Sequence, residues 1–292
     1  MSLPRSDFRF SHRMRVRWSE VDLQKIVFNA HYLMYFDTAM ADYWRALALP
    51  YEAAMQLLDG DIFVKKASVE YHASARYDDR IEVCLRCARI GTSSIVFEGA
   101  IFRDDTLLVT GELVYVFANP ATQKSMPVPK ALRAIFEGYQ AGDPMTVLDV
   151  GDWDLLGARI SVLRTQVFVE EQGIDKRLVW DAADATALHA VSCNQLGQAV
   201  ASGRLVQHGP GVGRIGRMAV DRVLRGSRLG RDVLEALIQA SRNRGDHQVM
   251  LHAQCSAQGF YTAFGFTPQG PVFEEAGIAH IEMALALDSE PQ

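Results

Sequence analysis

Few cysteines, no long apolar run and no excess of positive charge mark this chain, and each shortage narrows what it can be. Only four cysteines stand in 292 residues. Cys84 and Cys87 alone form a C-x-x-C, inside the strand-like stretch EVCLRCARI. Residues three apart on a strand point to opposite faces, so a shared metal or disulfide is not expected there. Four reduced thiols fit a cytoplasmic protein. No apolar run reaches the ~20 residues that a membrane-spanning helix needs. The opening MSLPRSDFRFSHRMRVRW is polar and basic, without the apolar centre of a signal peptide. Net charge is −5, which does not favour nucleic acid as a partner. No group of His, Cys and acidic residues has metal-ligand spacing, and no metal is expected.

What is present is globular in composition, with 49% hydrophobic and 22% charged residues. The length favours two domains over one. Gln140-Ala141-Gly142-Asp143-Pro144 is the compositional break. The expected division is a first domain over 1–139, a linker over 140–146 and a second domain over 147–292.

In the first half, alternation over 13–18 reads as a strand. From about Ala30, Leu33, Phe36, Met40, Tyr43, Trp44 and Leu47 recur at helical spacing, and Pro50 lies just beyond. Strand patterns follow at Phe63–Tyr71, Arg80–Ile90, Ser94–Arg103 and Thr106–Ala118, then a short helix at Ala131–Tyr139. A long helix followed by sequential strands predicts an α+β domain, an antiparallel sheet around a helix. Asp22 stands just before that helix. A carboxylate beside unpaired helix amides can act as base or nucleophile while the amides polarise a carbonyl. Acidic residues near helix starts are also common turn decoration, and spacing alone favours that plainer reading. His31 and His72 read as hydrogen-bonded structural residues.

The second half alternates types and predicts an α/β domain, a mixed sheet flanked by helices. Strands are expected at Val147–Val150, Thr186–Asn194, Gln198–Gln207, Ile215–Val220, Val249–Ala253, Pro271–Phe273 and His280–Leu285. Helices are expected at Leu156–Phe168, from about Gly230 onward with Val233, Leu234, Leu237 and Ile238 on one face, and around Ala257–Phe264. The turn Arg222–Gly230 joins a strand to a helix. Its backbone N–H groups can face an anion at the helix start, where the macrodipole favours negative charge. Gly226 and Gly230 allow close approach, and Arg225, Arg228 and Arg231 add positive charge, so pyrophosphate is the expected guest. A Gly-containing turn with a solvated basic face remains the alternative. There is no Gly-Lys-Ser/Thr and no GxGxxG, which sets aside two common phosphate motifs.

Two resemblances give these patterns a function. Val16-Arg17-Trp18-Ser19-Glu20-Val21-Asp22, Ile26-Val27-Phe28-Asn29-Ala30-His31-Tyr32-Leu33 and Phe36-Asp37 resemble the 4-hydroxybenzoyl-CoA thioesterase-like hotdog enzymes, over residues 13–130. The resemblance implies acyl-CoA hydrolysis, with Asp22 as the catalytic carboxylate and Asn29 lining the site. It also implies a homodimer or tetramer through this domain. The glycine frequent in that turn is Lys25 here.

Over most of 147–286 the chain resembles the GNAT superfamily of acetyltransferases, in its ElaA-like branch. The residues that carry it include Arg164, Val167-Phe168-Val169-Glu170-Glu171-Gln172, Asp181, Asp184, Arg204 and Arg214–Val220. Further along come Arg225-Gly226-Ser227-Arg228-Leu229-Gly230, Leu251-His252-Ala253-Gln254, Phe260-Tyr261 and Gly277–Met283. This implies acetyl-CoA as substrate and an amine as acceptor. The loop 225–231 would hold the pyrophosphate, and the amides of Met218 and Val220 the thioester. Tyr261 would be the general acid, with Glu171 the first candidate base and His280 the second. Beside Phe260 and Phe264, Tyr261 also reads as a core aromatic. The first motif glycine is Arg228, so a side chain stands where backbone would approach phosphate. A domain that only senses acyl-CoA is therefore the alternative to an active transferase.

Overall fold

In the computed structural model, residues 4–287 are described, and they divide into two compact units between Met145 and Thr146. Each is described by itself.

The first unit is a five-stranded antiparallel sheet in the order β1-β3-β4-β5-β2. Its strands are β1 Phe10–Arg15, β2 Asp61–Tyr71, β3 Arg80–Ile90, β4 Ser94–Arg103 and β5 Thr106–Ala118, with helices α1 His31–Ala46, α2 Tyr51–Leu57 and α3 Lys130–Ala141. Helix α1 buries Tyr32, Tyr35, Phe36, Ala39, Met40, Tyr43 and Trp44, an i, i+3, i+4 series that makes one apolar stripe. The sheet makes room for that stripe at one place. Gly99 and Gly111 are cross-strand partners, and a Cβ on either would collide with the Phe36 ring. Tyr43 sits edge-on to Phe97 at 5.4 Å, closing helix onto sheet.

The predicted first strand at 13–18 lies earlier, at Phe10–Arg15. The shift has a local cause. The Arg17 amide donates to Glu20 Oε2 at 2.7 Å, which turns Trp18–Glu20 into a 3₁₀ segment. Helix α3 continues through Gln140 and Ala141 to a left-handed Gly142 (φ 99°), and the next strand starts at Thr146. The connecting stretch is thus shorter than 140–146.

The second unit is a seven-stranded sheet in the order β11-β12-β10-β9-β8-β7-β6. The strands are β6 Thr146–Gly151, β7 Leu188–Asn194, β8 Ala199–Gly209, β9 Val212–Val220, β10 Gln248–Gln254, β11 Thr267–Glu275 and β12 Ile278–Ala286. The helices are α4 Trp153–Arg164, α5 Lys176–Val179, α6 Leu229–Asn243 and α7 Gln258–Thr262. All pairings are antiparallel except β9 with β10, which are parallel and joined by α6. Ala190 packs in the α6 cluster and its neighbour Val191 against Leu156 and Ile160 of α4, so the two helices cover opposite faces. The predicted helix over 156–168 becomes α4 followed by a π-helical segment, Thr165–Glu171. Its mark is the Gln172 amide donating five residues back to Val167 O at 3.2 Å. Pro271 falls inside β11, which tolerates it as an edge strand with a register shift between Gln269 and Phe273.

Candidate functional site

In the first unit, Asp22 lies in a small hairpin. Val21 bridges Val27, the Asp22 amide donates to Ile26 O at 2.9 Å, and the Lys25 amide donates to Asp22 O at 2.9 Å. Lys25 has φ 62°, a left-handed conformation that glycine adopts more readily. Asp22 Oδ1 accepts the Gln24 amide at 2.8 Å, leaving the carboxylate half-exposed. Sequence reasoning missed what anchors this loop. Glu20, only 2% exposed, accepts from the Tyr35 hydroxyl at 2.8 Å and from Arg17. Burial pushes the Glu20 carboxyl up, but the Arg17 and Tyr35 bonds outweigh it and hold the group below its ordinary range. Asn29 is exposed, and its carbonyl accepts the Tyr71 hydroxyl at 3.2 Å. Helix α1 begins right after it, with no side-chain cap from Ala30. His72 Nε2 lies 3.0 Å from Thr110 Oγ1, while His31 sits edge-on to Phe28 at 6.0 Å.

In the second unit the organising feature is a parting of strands. Strands β9 and β10 pair from Val212/Gln248 to Ile215/Leu251; both run on, to Val220 and Gln254, with no further mutual pairing among the described residues. Opposite β8, the register of β9 shifts between Gly216 and Ala219, with Arg217 at φ 53°. Met218 and Val220 lie in this parted stretch, and both pack against the α6 cluster.

A network of charges holds that bulge. Arg217 Nη2 donates to Leu178 O at 2.9 Å and to Asp181 Oδ2 at 3.0 Å. Arg204 donates to Asp181 at 2.6 and 3.0 Å and to Asp184 at 2.9 Å. Fully buried Arg164 donates to Asp184 at 2.8 Å, with its guanidinium over the Trp153 ring. The Arg204 bond draws Asp181 down to about 2. Burial would raise Asp184, yet Arg164 and Arg204 keep it low.

After β9, Asp221 caps a 3₁₀ turn Arg222–Leu224, then Gly226 (φ 87°) and Arg228 (φ 72°) lead into α6. An arginine thus stands here in the left-handed conformation that glycine adopts most readily. The Ser227 and Arg231 amides are used inside the loop, bonding to Leu224 O at 3.3 Å and Arg228 O at 2.8 Å. A Cβ on Gly230 would press on Val220 at 3.0 Å. The three arginines do not act as one patch. Arg225 makes two 2.6 Å bonds to Glu171, and Arg231 turns along α6 to Glu235 at 2.9 Å and over Phe264. Arg228 alone of the three has no carboxylate partner among the described residues. Glu171 therefore lies against the loop arginine rather than standing free, beside a cleft of about 400 Å³ lined by Gln166, Glu170, Asp221 and Arg222.

Tyr261 is on α7, only 8% exposed, edge-on to Phe260 at 5.0 Å and Phe266 at 6.1 Å. Burial alone pushes its hydroxyl up to about 12. His280 has Nδ1 2.8 Å from Ile278 O and its ring stacked on Phe273.

Comparison with known sequences decides the family. The profile of the Thioesterase superfamily matches residues 24–110, and that of the acetyltransferase (GNAT) domain matches residues 162–287. The chain joins a hotdog thioesterase domain to a GNAT acetyltransferase domain. The hotdog domain is similar to the acyl-CoA thioester hydrolase YbgC of Escherichia coli O6:H1, 29% identical over 129 residues, 44% of this chain and 96% of that one. The GNAT domain is 41% identical over 71 residues to protein ElaA of Escherichia coli K12, 24% of this chain and 46% of ElaA. A solved structure from Lactobacillus plantarum, described as a candidate N-acetyltransferase, matches 49% of this chain and 99% of its own at 27% identity and TM-score 0.46. No helix among the described residues is long and apolar enough to cross a membrane.

Proposed function

We propose that the chain is a bifunctional acyl-CoA enzyme, hydrolysing acyl-CoA thioesters at Asp22 and transferring acetyl from acetyl-CoA to an amine at the parted strands β9 and β10. Hydrolysis is supported above all by the hairpin that holds the Asp22 carboxylate half-exposed ahead of an uncapped helix start. A carboxylate there activates water or attacks the thioester carbon, while the positive end of the α1 dipole favours the charge that develops on the carbonyl oxygen. Asn29 would line this site. Strand β2 is a long exposed sheet edge, and Phe28, Met34, Val64 and Tyr71 are large exposed apolar side chains. Such an edge is normally covered, which favours a second copy and a homodimer or tetramer.

Transfer follows the same chemistry with an amine in place of water. Acyl-CoA would lie with its pyrophosphate at Gly226, Arg228 and Gly230 and its thioester at the Met218 and Val220 amides. Neither half calls on a metal in this scheme. Tyr261 would face the leaving sulfur. Burial pushes its hydroxyl up to about 12, so the phenol stays protonated and able to donate. Tyr261 therefore serves as a hydrogen-bond donor to the developing thiolate, and Tyr261→Phe should slow transfer about tenfold or more without touching hydrolysis. The reduced thiols accord with a cytoplasmic protein.

A second reading is favoured by one observation, the engagement of Arg225 by Glu171. In it the GNAT domain binds and senses acyl-CoA without turnover. The deciding experiment is free-thiol release from a panel of acyl-CoAs, with and without amines, on wild type and Asp22→Ala. Amine-independent release lost in Asp22→Ala supports the hydrolase. Release that needs an amine and survives Asp22→Ala supports the transferase. Acetyl-CoA binding with no amine-dependent release supports the sensor.

A further inference from the structure

Strand β10 places His252 one residue past Leu251, where its pairing with β9 ends. Leu251 and Ala253 both pack in the α6 cluster, so His252 between them lies on the opposite face of the sheet. Three strands bring polar groups to it. His252 Nδ1 is 2.8 Å from Glu275 Oε2 of β11, and Nε2 is 3.7 Å from Glu282 Oε2 of β12, its cross-strand partner. Arg214 Nη2 of β9 is 2.9 Å from the same Nδ1. The Phe273 ring stands edge-on to His252 at 4.8 Å and stacks with His280 at 6.1 Å. Beside them Gln254 donates to Gln172 at 3.2 Å. His252 is 23% exposed in its side chain and the two glutamates 43% and 44%, so the cluster is open to a ligand.

Nδ1 cannot serve both neighbours. It either accepts from Arg214 or donates to Glu275. Both alternatives are charge-assisted, and the shorter contact, to Glu275 at 2.8 Å against 2.9 Å to Arg214, is taken as the bond that sets the tautomer. Burial works against the Glu275 charge, but His252, His280 and Arg214 hold its carboxyl below the ordinary range, so it is ionised. With Nδ1–H on Glu275, Nε2 carries the lone pair and faces the gap toward Glu282. The formal side-chain charges of Arg214, Glu275 and Glu282 sum to one net negative charge.

We propose that this cluster is the acceptor site of the transferase, that it takes a cationic primary amine lacking an adjacent carboxylate, and that His252 is the base. This assignment rests on the transfer reading given above. Glu282 pairs with the incoming ammonium between itself and Nε2, and the Phe273 ring offers a wall that tolerates a cation. The nitrogen gives one proton to Nε2, attacks the thioester carbon, and forms the C–N bond as the C–S bond breaks. Of the two protons the ammonium loses, one reaches solvent through His252 and the other ends on the CoA sulfur. Glu275 is a positioning residue that fixes the tautomer. This differs from the sequence-based choice of Glu171 or His280. The former is held by Arg225, and the latter is turned to a main-chain carbonyl.

The test is acetyl transfer to cadaverine and spermidine against glutamate and β-alanine, with His252→Ala, His252→Gln and Glu282→Gln. Cadaverine and spermidine should be preferred by about tenfold or more. Glu282→Gln should raise the KM for amine about tenfold while the KM for acetyl-CoA stays constant. His252→Ala should lower kcat about a hundredfold, and added imidazole should restore part of it, which a misfolded variant would not allow. Unchanged amine kinetics in both the Glu282 and His252 variants would overturn the assignment, as would preference for the carboxylate-bearing acceptors. If wild type binds acetyl-CoA by calorimetry yet transfers to none of the amines, the transfer reading itself fails and the assignment falls with it.

Discussion

Lys25 and Arg228 are two charged residues in a backbone region that glycine normally fills, and each stands at a turn bordering a proposed site. A left-handed non-glycine residue costs roughly 1–2 kcal/mol, partly offset by the freedom a glycine would lose on folding. Lys25→Gly and Arg228→Gly should therefore each stabilise the protein by up to about 1 kcal/mol, read as a higher urea midpoint at constant m. Because the Arg228 backbone already has the glycine geometry, Arg228→Gly should leave CoA affinity within about threefold by calorimetry. A tightening of ten or more would mean the side chain blocks the phosphate. The sequence marks both positions as places where a glycine would be expected, but φ is set by the surrounding turn and is not written in residue type. Asp181 gives a pH signature. Its carboxyl lies at about 2 in the folded chain against an ordinary 3.8. A depressed carboxyl stabilises above its unfolded value, and that contribution disappears as pH falls through the folded one. Acid unfolding should thus steepen between about pH 4 and 2, and Asp181→Asn should flatten that limb. An identical profile in the variant would show that the Arg204 and Arg217 bonds carry no linkage.

At the scale of the element, the packing of α1 rests on one ring. Phe36 fills the dent that Gly99 and Gly111 leave in the sheet, and it is fully buried. Phe36→Ala should cost about 3–5 kcal/mol, while Leu33→Ala, on the exposed side, should cost far less. Comparable losses from both would mean that the helix stripe is not what holds the sheet. That stripe was legible because helical spacing is a local signal, and so were three strands of the first sheet to the residue. What escaped was cooperative between distant segments. The π-helical run Thr165–Glu171 looked like ordinary helix because Ile160 and Leu163 of the apolar series lie in α4 and only Val167 falls in the π segment, too few positions to show the longer period. The His252 cluster draws on four strands that only the sheet order brings side by side, so although His252 and Glu282 stand in stretches that carry the resemblance, their meeting with Glu275 was not visible in the chain. The Arg164–Asp184–Arg204 network was quoted as part of a resemblance, yet its work of tying α4, β8 and the β9 bulge together needed coordinates.

For the molecule as a whole, each half has its own sheet and its own core, with the division falling between Met145 and Thr146. Each is close to the ~100–150 residues at which a single core is self-sufficient, burying nearly 70% of the surface its unfolded chain exposes. The last strand of the first sheet ends at Ala118, and the first of the second begins at Thr146, so a cut at 145/146 removes no ladder from either. Residues 1–145 and 146–292, expressed separately, should each unfold cooperatively. The first should keep amine-independent thiol release and the second amine-dependent release, with kcat and KM within about twofold of the intact chain. The measurement is denaturant unfolding of both pieces alongside the two assays. A piece that is insoluble, or unfolds without cooperativity, would show that its core depends on the other half. Pieces that fold but lose activity would instead place the coupling in catalysis, and the intact chain would then be one enzyme with two chemistries rather than two enzymes drawing on one pool of CoA thioester.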